Sequence, residues 1–312
     1  MAFASSGDLS AKEETFVELA DGVYALTAEG DPNVGAIEGP DFVVCFEARA
    51  TPVSARRWLG RLRERTEKPV RYLVLSHYHA VRVLGASAFD AAEIVTHAQT
   101  RRLITERGKQ DWDSELARMP RLFEEPDSIP GLTRPTITFT DRMVIPLGGE
   151  RELVLAYCGR GHTAGDIVAW LPHERILFAG DLVEAQAALY TGDAFHDDWA
   201  TSTLDAVGHF PAEQLVGGRG AVTTDPAAAI AQSRHFLDEL RRTVASAYDG
   251  GTLKDAFAAA HAALAPEFGS WPIFEHCLPF NVQRYWDELD GLDWPRIWTA
   301  ERDQEVWAAL KD

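Results

Sequence analysis

The chain has 312 residues, 46% hydrophobic and 25% charged, a globular composition with a large core that excludes disordered, fibrous and coiled-coil readings. Lys and Arg number 30 against 48 Asp and Glu, a formal net charge of −18, so nucleic-acid and membrane-surface partners would need a local basic patch, and no run of clustered Lys and Arg supplies one. Cys45, Cys158 and Cys277, odd in number and far apart, argue against a disulfide framework and CxxC chemistry and read as small buried hydrophobes.

Residues 1–15 form a polar leader without the basic and apolar regions of a secretory signal, and no stretch of about 18 apolar residues predicts a membrane span, so the expected compartment is the cytoplasm. FVELADGVYALTA and NVGAIEGPDFVVCFEA, broken by Gly-Pro-Asp, predict antiparallel strands. Residues 52–66 carry helix formers with apolar Trp58, Leu59 and Leu62; Pro69 then leads into the strand VRYLVLS, so the chain changes to β-α-β. That strand ends at Ser76, which puts His77 and His79 on a loop at a strand's carboxyl end, where ligands collect in open α/β architectures.

AEIVTH predicts another strand and TRRLITERGKQ a basic helix. Pro120, Pro126, Pro130 and Pro135 mark an irregular excursion, read either as a lid over a site or as a solvated connector. From residue 136, TITFT, RMVIPL, RELVLAYC, DIVAWLP and RILFAGD are evenly spaced and predict a second sheet packed on the first. Asp225-Pro226 starts a helix with Ile230, Leu237, Leu240 and Val244 at helical spacing; LKDAFAAAHAALA is a second. Five of the nine tryptophans lie beyond residue 270, which predicts an ordered helical cap over 246–312 and marks it as a candidate homodimer surface.

Chemistry concentrates in SHYHAVRVLG (76–85), GRGHTAGD (159–166) and LFAGDLV (177–183), each just after a predicted strand. Three imidazoles, His77, His79 and His162, with the carboxylate of Asp181 are a suitable set for Zn²⁺ or Fe²⁺, and the flanking glycines let the backbone bring them together.

These motifs and their order resemble the metallo-β-lactamase fold superfamily over residues 16–245; its marks are a His-x-His-x-Asp-His loop, a Gly-His-Thr-x-Gly loop and an Asp ending a later strand. The resemblance implies a four-layer αβ/βα sandwich with its metal site at one edge of the two sheets, here followed by the helical extension. It also implies departures. The Asp and last His of the first motif, which help hold a second metal in the family, are Val81 and Arg82, and the family's final histidine falls at Arg219.

The expected cofactor is therefore one divalent ion, zinc foremost or iron, with His77, His79, His162 and Asp181 as ligands. Guanidinium groups stay charged and present planar forks to carboxylates and oxyanions, so Arg82 and Arg219 read as substrate-anchoring or oxyanion-stabilising groups; the alternative is that they pair with Asp181 and Asp166. Asp166 reads as a hydrogen-bonding support, His97 and Tyr78 as structural, and His196 as a residue that could face substrate.

The function this implies is a mononuclear metal-dependent hydrolase of a small, anionic carboxyl derivative (lactone, ester, thioester or amide), attacked by metal-activated water with Asp181, Arg82 and Arg219 assisting. Two other readings stand beside it. His77, His162 and Asp181 alone make a two-histidine, one-carboxylate set like that of persulfide dioxygenases of the same superfamily, which use iron. A pseudoenzyme that binds a small anionic ligand is the third.

Overall fold

The computed structural model describes residues 4–310. The leader includes a short turn at Ala4–Gly7, and the first strand begins at Glu14. Seven strands form the first sheet in chain order: β1 (Glu14–Ala20), β2 (Val23–Ala28), β3 (Val34–Glu38), β4 (Val43–Phe46), β5 (Val70–Val74), β6 (Glu93–His97) and β7 (Ile137–Phe139). β1 to β4 pair antiparallel and β4 to β7 parallel. The change comes at α1 (Pro52–Arg63), whose Thr51 and Ser54 form a reciprocal capping box and which returns the chain to the sheet in the original direction.

The second sheet has the order β12 (Gln214–Gly217), β11 (Ile176–Gly180), β10 (Ile167–Leu171), β9 (Arg151–Tyr157) and β8 (Arg142–Gly148), antiparallel except for β11 with β12. The expectation that TITFT opens this second sheet is corrected: residues 137–139 are β7 and pair in parallel with β6 of the first.

The burial pattern shows why two sheets form four layers. Along β2, Val23 and Ala25 enter a core shared with Leu155, Ile167 and Phe178 of the second sheet, while Tyr24 and Leu26 enter another with Trp58 and Leu62 of α1. All six residues of β2 are buried because this sheet is covered on both faces. The outer face of the second sheet packs Val154, Trp170, Leu177 and Leu215 against α6 (Pro226–Tyr248), α7 (Leu253–Phe268) and α8 (Phe274–Leu289). Phe236, Phe268 and Val282 are each at most 1% exposed, so the C-terminal helices share the core. Each such side chain contributes about 1.5–3 kcal/mol.

Five further helices complete the fold: α2 (Ala80–Val83), α3 (Ala98–Arg118), α4 (His196–Asp198), which passes through a wide turn into α5 (Leu204–Gly208), and α9 (Ala300–Ala309). The proline-rich excursion is irregular, with short turns at Pro120–Leu122 and Pro126–Ser128. Among the described residues, no helix is long and apolar enough to cross a membrane.

Candidate metal centre

β5 stops at Val74, and the loop after it, bent at Ser76 and His77, carries His77 and then His79, the residue that caps α2. His162 lies between β9 and β10, and Asp181 directly follows β11. Gly180 makes that last turn at φ 55°, with Ser76 so near that a Cβ there would sit 2.8 Å from Ser76 Oγ.

The three imidazoles stand edge to face with centroids 4.7–4.9 Å apart, and one nitrogen of each lies within 4.8 Å of the others. Their outward nitrogens all have partners. His77 Nδ1 meets Ser76 Oγ at 2.8 Å, His79 Nε2 meets Asp193 Oδ2 at 3.2 Å, and His162 Nδ1 donates to the Tyr190 carbonyl at 2.8 Å. A carbonyl or carboxylate can only accept, so these contacts put the protons of His79 and His162 on the outside and turn lone pairs inward. The inward His162 Nε2 and His79 Nδ1 are 3.0 Å apart, and His77 Nε2, fully buried, has no hydrogen-bond partner among the described residues. Lone pairs that face one another at this distance call for a cation or a shared proton between them. Tetrahedral zinc with Zn–N near 2.0–2.1 Å needs donor atoms about 3.4 Å apart, so the donor set fits a divalent ion.

Burial pushes His77 well below its ordinary range, with His162, His79 and Arg82 adding to the effect against Asp181. His162 is pushed down to about 3, chiefly by burial. His79 differs: burial lowers it too, but Asp111, Asp193 and Glu115 outweigh burial and raise it to about 9.

Asp181 stands beside the triad, with Oδ2 3.6 Å from His162 Nε2 and 3.9 Å from His77 Nε2. It is also the partner of both arginines. Arg82 Nη2 binds Asp181 Oδ1 and donates to the Gly218 carbonyl at 2.8 Å, while Nη1 reaches the Asn33 carbonyl at 3.1 Å. Arg219 Nη1 lies 2.8 Å from Asp181 Oδ2 and 2.9 Å from Glu184 Oε1. Burial alone would raise Asp181, but Arg82 and Arg219, with His77 and His162, hold it well below the carboxylate range. Glu184 is pushed up to about 8 by burial and by Asp181, against the pull of both arginines. A Cβ at Gly218 would lie 2.2 Å from Asp181 Oδ1, so this pairing requires glycine there.

The structure therefore brings together His77, His79, His162, Asp181, Arg82 and Arg219, each at most 4% exposed. Val81 packs in the core between α1 and the first sheet. Arg82 and Arg219 meet Asp181, while Asp166 accepts from Thr163 N (2.6 Å) and Oγ1 (3.0 Å) and braces the His162 loop. His196 is fully buried, with Nε2 2.8 Å from Thr191 Oγ1 and Nδ1 3.1 Å from Glu288 Oε2. His97 caps α3 and stacks on Tyr157, and Tyr78 is 2% exposed in the core.

Sequence reasoning missed the outer supports. Asp193 lies three residues before His196 in the same TGDAFH segment, and Ser76 immediately precedes His77; position beside a motif was their only signal. Asp111 and Glu115 accept from the amides of Ala80 (2.6 Å) and Val81 (2.9 Å), which fixes the turn after His79. The Tyr190 carbonyl, a main-chain group, left no signal.

A family model described as the metallo-beta-lactamase superfamily matches residues 29–219. Two proteins named metallo-beta-lactamase type 2 are similar in sequence: that of Bacillus sp. (strain 170), 28% identical over 139 residues, covers 44% of this chain and 46% of the relative, and that of Bacillus cereus, 27% identical over 165 residues, covers 49% and 56%. The chain thus spans about half the length of these relatives. A solved metallo-beta-lactamase from Pontibacter korlensis superposes with a TM-score of 0.58 at 19% identity, over 72% of this chain and 99% of that one, a likeness of fold.

Proposed function

We propose, from the premise that the chain belongs to the metallo-beta-lactamase superfamily, that it is a mononuclear metal-dependent hydrolase of a small anionic carboxyl derivative, a lactone, ester, thioester or amide. The observation that carries this is the set of inward nitrogens: two only 3.0 Å apart and a third buried nitrogen without a partner among the described residues, each imidazole held from outside. His77, His79 and His162 would hold the ion, with Asp181 Oδ2 beside them as a further oxygen donor. Zinc foremost, or iron, would supply Lewis acidity, lowering the pKa of water at that position toward neutrality and polarising a carbonyl.

The chain's own groups do the rest. Ser76, Asp193 and the Tyr190 carbonyl fix ring orientation. Arg82 and Arg219 keep Asp181 ionised, so it contributes charge and position and is a poor proton acceptor at neutral pH. Arg82 Nε and Arg219 Nε are buried without a hydrogen-bond partner among the described residues, so a substrate carboxylate or developing oxyanion that enters the centre would find an unused N–H on each guanidinium. The iron-oxygenase reading uses His77, His162 and Asp181 as the three ligands and leaves His79 out, whereas all three imidazoles here turn a nitrogen toward one point.

The test combines metal analysis of protein purified without added metal, an assay on lactone, ester, thioester and amide panels before and after chelation, and oxygen uptake. One equivalent of metal with chelator-sensitive hydrolysis is expected. Oxygen consumption would move the reading to the oxygenase, and tightly bound metal without turnover to a ligand-binding pseudoenzyme.

A further inference from the structure

Two of the three imidazoles are oriented by a single loop, residues 188–196, through the Tyr190 carbonyl and Asp193. That loop is held from the C-terminal part of the chain, beyond the stretch that matches the superfamily. The carboxamide of Asn281, on α8, straddles Tyr190: Nδ2 donates to the Leu189 carbonyl at 2.8 Å and Oδ1 accepts from the Thr191 amide at 2.7 Å. Trp298 Nε1 donates to the Gly192 carbonyl at 2.9 Å, next to Asp193, and Arg284 Nε donates to the Ala194 carbonyl at 2.8 Å. Asn281 is 0% exposed and Trp298 3%, so water cannot substitute for either contact.

We propose that Asn281 is a positioning residue of the metal centre, and that α8 together with Trp298 sets its metal affinity by holding this loop. The inference rests on the reading of His77, His79 and His162 as ligands. With Leu189 and Thr191 both tied to one side chain, the peptide carbonyl of Tyr190 between them has a fixed direction. That direction sets the plane of the His162 ring and the aim of its inward Nε2. Without the clamp the carbonyl can turn, and His162 loses the acceptor that selects its tautomer. Trp298 acts in the same way on Asp193 and His79.

The experiment uses the full chain, stripped of metal and titrated with Zn²⁺ against a chromophoric chelator, and with Co²⁺ for its d–d absorption bands. Asn281→Leu is expected to weaken Zn²⁺ binding about ten- to a hundredfold, the range typical of outer supports, and to shift the Co²⁺ bands. Trp298→Phe, which keeps an aromatic side chain and removes the indole donor, provides a second variant if the first fails to fold; weaker binding is expected there too. Val23→Ala on β2, buried between the two sheets in a core that includes no residue of the 188–196 loop, is the control: it should lower the melting temperature and leave Zn²⁺ affinity unchanged. If Asn281→Leu and Trp298→Phe both bind within twofold of the parent, the proposal is overturned. A parent chain that binds neither ion overturns the metal reading itself, and this inference with it.

Discussion

Replacing Arg82 with Met keeps most of the side-chain stem and removes one buried charge. Arg82 is 0% exposed and connects Asp181, Gly218 and Asn33. Its loss leaves Asp181 with Arg219 alone, in a site where burial works against the carboxylate. Removing one partner of a buried pair costs about 3–5 kcal/mol, because the other charge stays behind. The Asn33 carbonyl also loses its donor, at about 1 kcal/mol or more if water does not enter, while the Gly218 carbonyl keeps the Asn33 amide. With roughly 2–4 °C per kcal/mol for a large domain, the melting temperature of the metal-free protein should fall by about 10–20 °C. The charge argument has a sharper consequence. Arg82→Met combined with Asp181→Asn removes the stranded carboxylate, so the double variant should lose less than the sum of the singles, by about 2 kcal/mol, read from denaturant titrations as a double-mutant cycle. A loss below about 1 kcal/mol for the single variant, or an additive cycle, would refute the view that Arg82 neutralises Asp181.

Gly218→Ala puts a methyl group 2.2 Å from Asp181 Oδ1 and 2.9 Å from Arg82 Nη2, so it should displace the pair and cost about 2–4 kcal/mol by chemical denaturation; parent-like stability would contradict the close approach. Asp193→Ala removes the carboxylate behind His79, and Zn²⁺ affinity in a chelator competition should drop about ten- to a hundredfold. Glu288→Gln tests an ion pair farther out. Burial raises the Glu288 carboxyl, but His196 and Arg284 outweigh it and hold it below its ordinary 4.5, so its contribution is present above that pH and lost as pH falls through the depressed folded value. The parent should therefore exceed the variant in melting temperature at pH 6–7, with the gap closing below about pH 4; a gap that widens in acid would show the sign to be wrong.

The ligand set was legible in the sequence because each motif sits at the carboxyl end of a short apolar strand: His77 after β5, His162 after β9 and Asp181 after β11. Each of those strands has a buried apolar stretch, complete in β11 and limited to Leu73–Val74 in β5 and Leu153–Leu155 in β9, and the glycines around them announce the turns. The sheet to which a strand belongs is a different kind of fact. TITFT reads as a strand from its own residues, but its pairing with β6 is decided by the 21-residue α3, which carries the chain back across the first sheet. The basic stretch TRRLITERGKQ covers only half of that helix. The rest was hidden because α3 buries Arg107, Asp111, Ser114, Glu115 and Arg118, a helical face at the expected spacing composed of polar residues.

The same reason explains why the supports of the centre escaped the sequence while its ligands did not. A ligand needs a particular residue type at a particular loop, whereas a support needs only an acceptor in the right place: Asp193 lies 114 positions from His79, and Tyr190 acts through a main-chain oxygen that any residue carries. Net charge has the same blindness to position. A total of −18 predicts repulsion of anions, yet it says nothing of the two guanidiniums, Arg82 and Arg219, that the fold gathers around Asp181 and Glu184. Salt screens the exposed acidic field within about 10 Å at 0.1 M and leaves the buried cluster largely unscreened. What an approaching anion meets at the centre is set by those few groups, and the sequence total describes only the surface it must first cross.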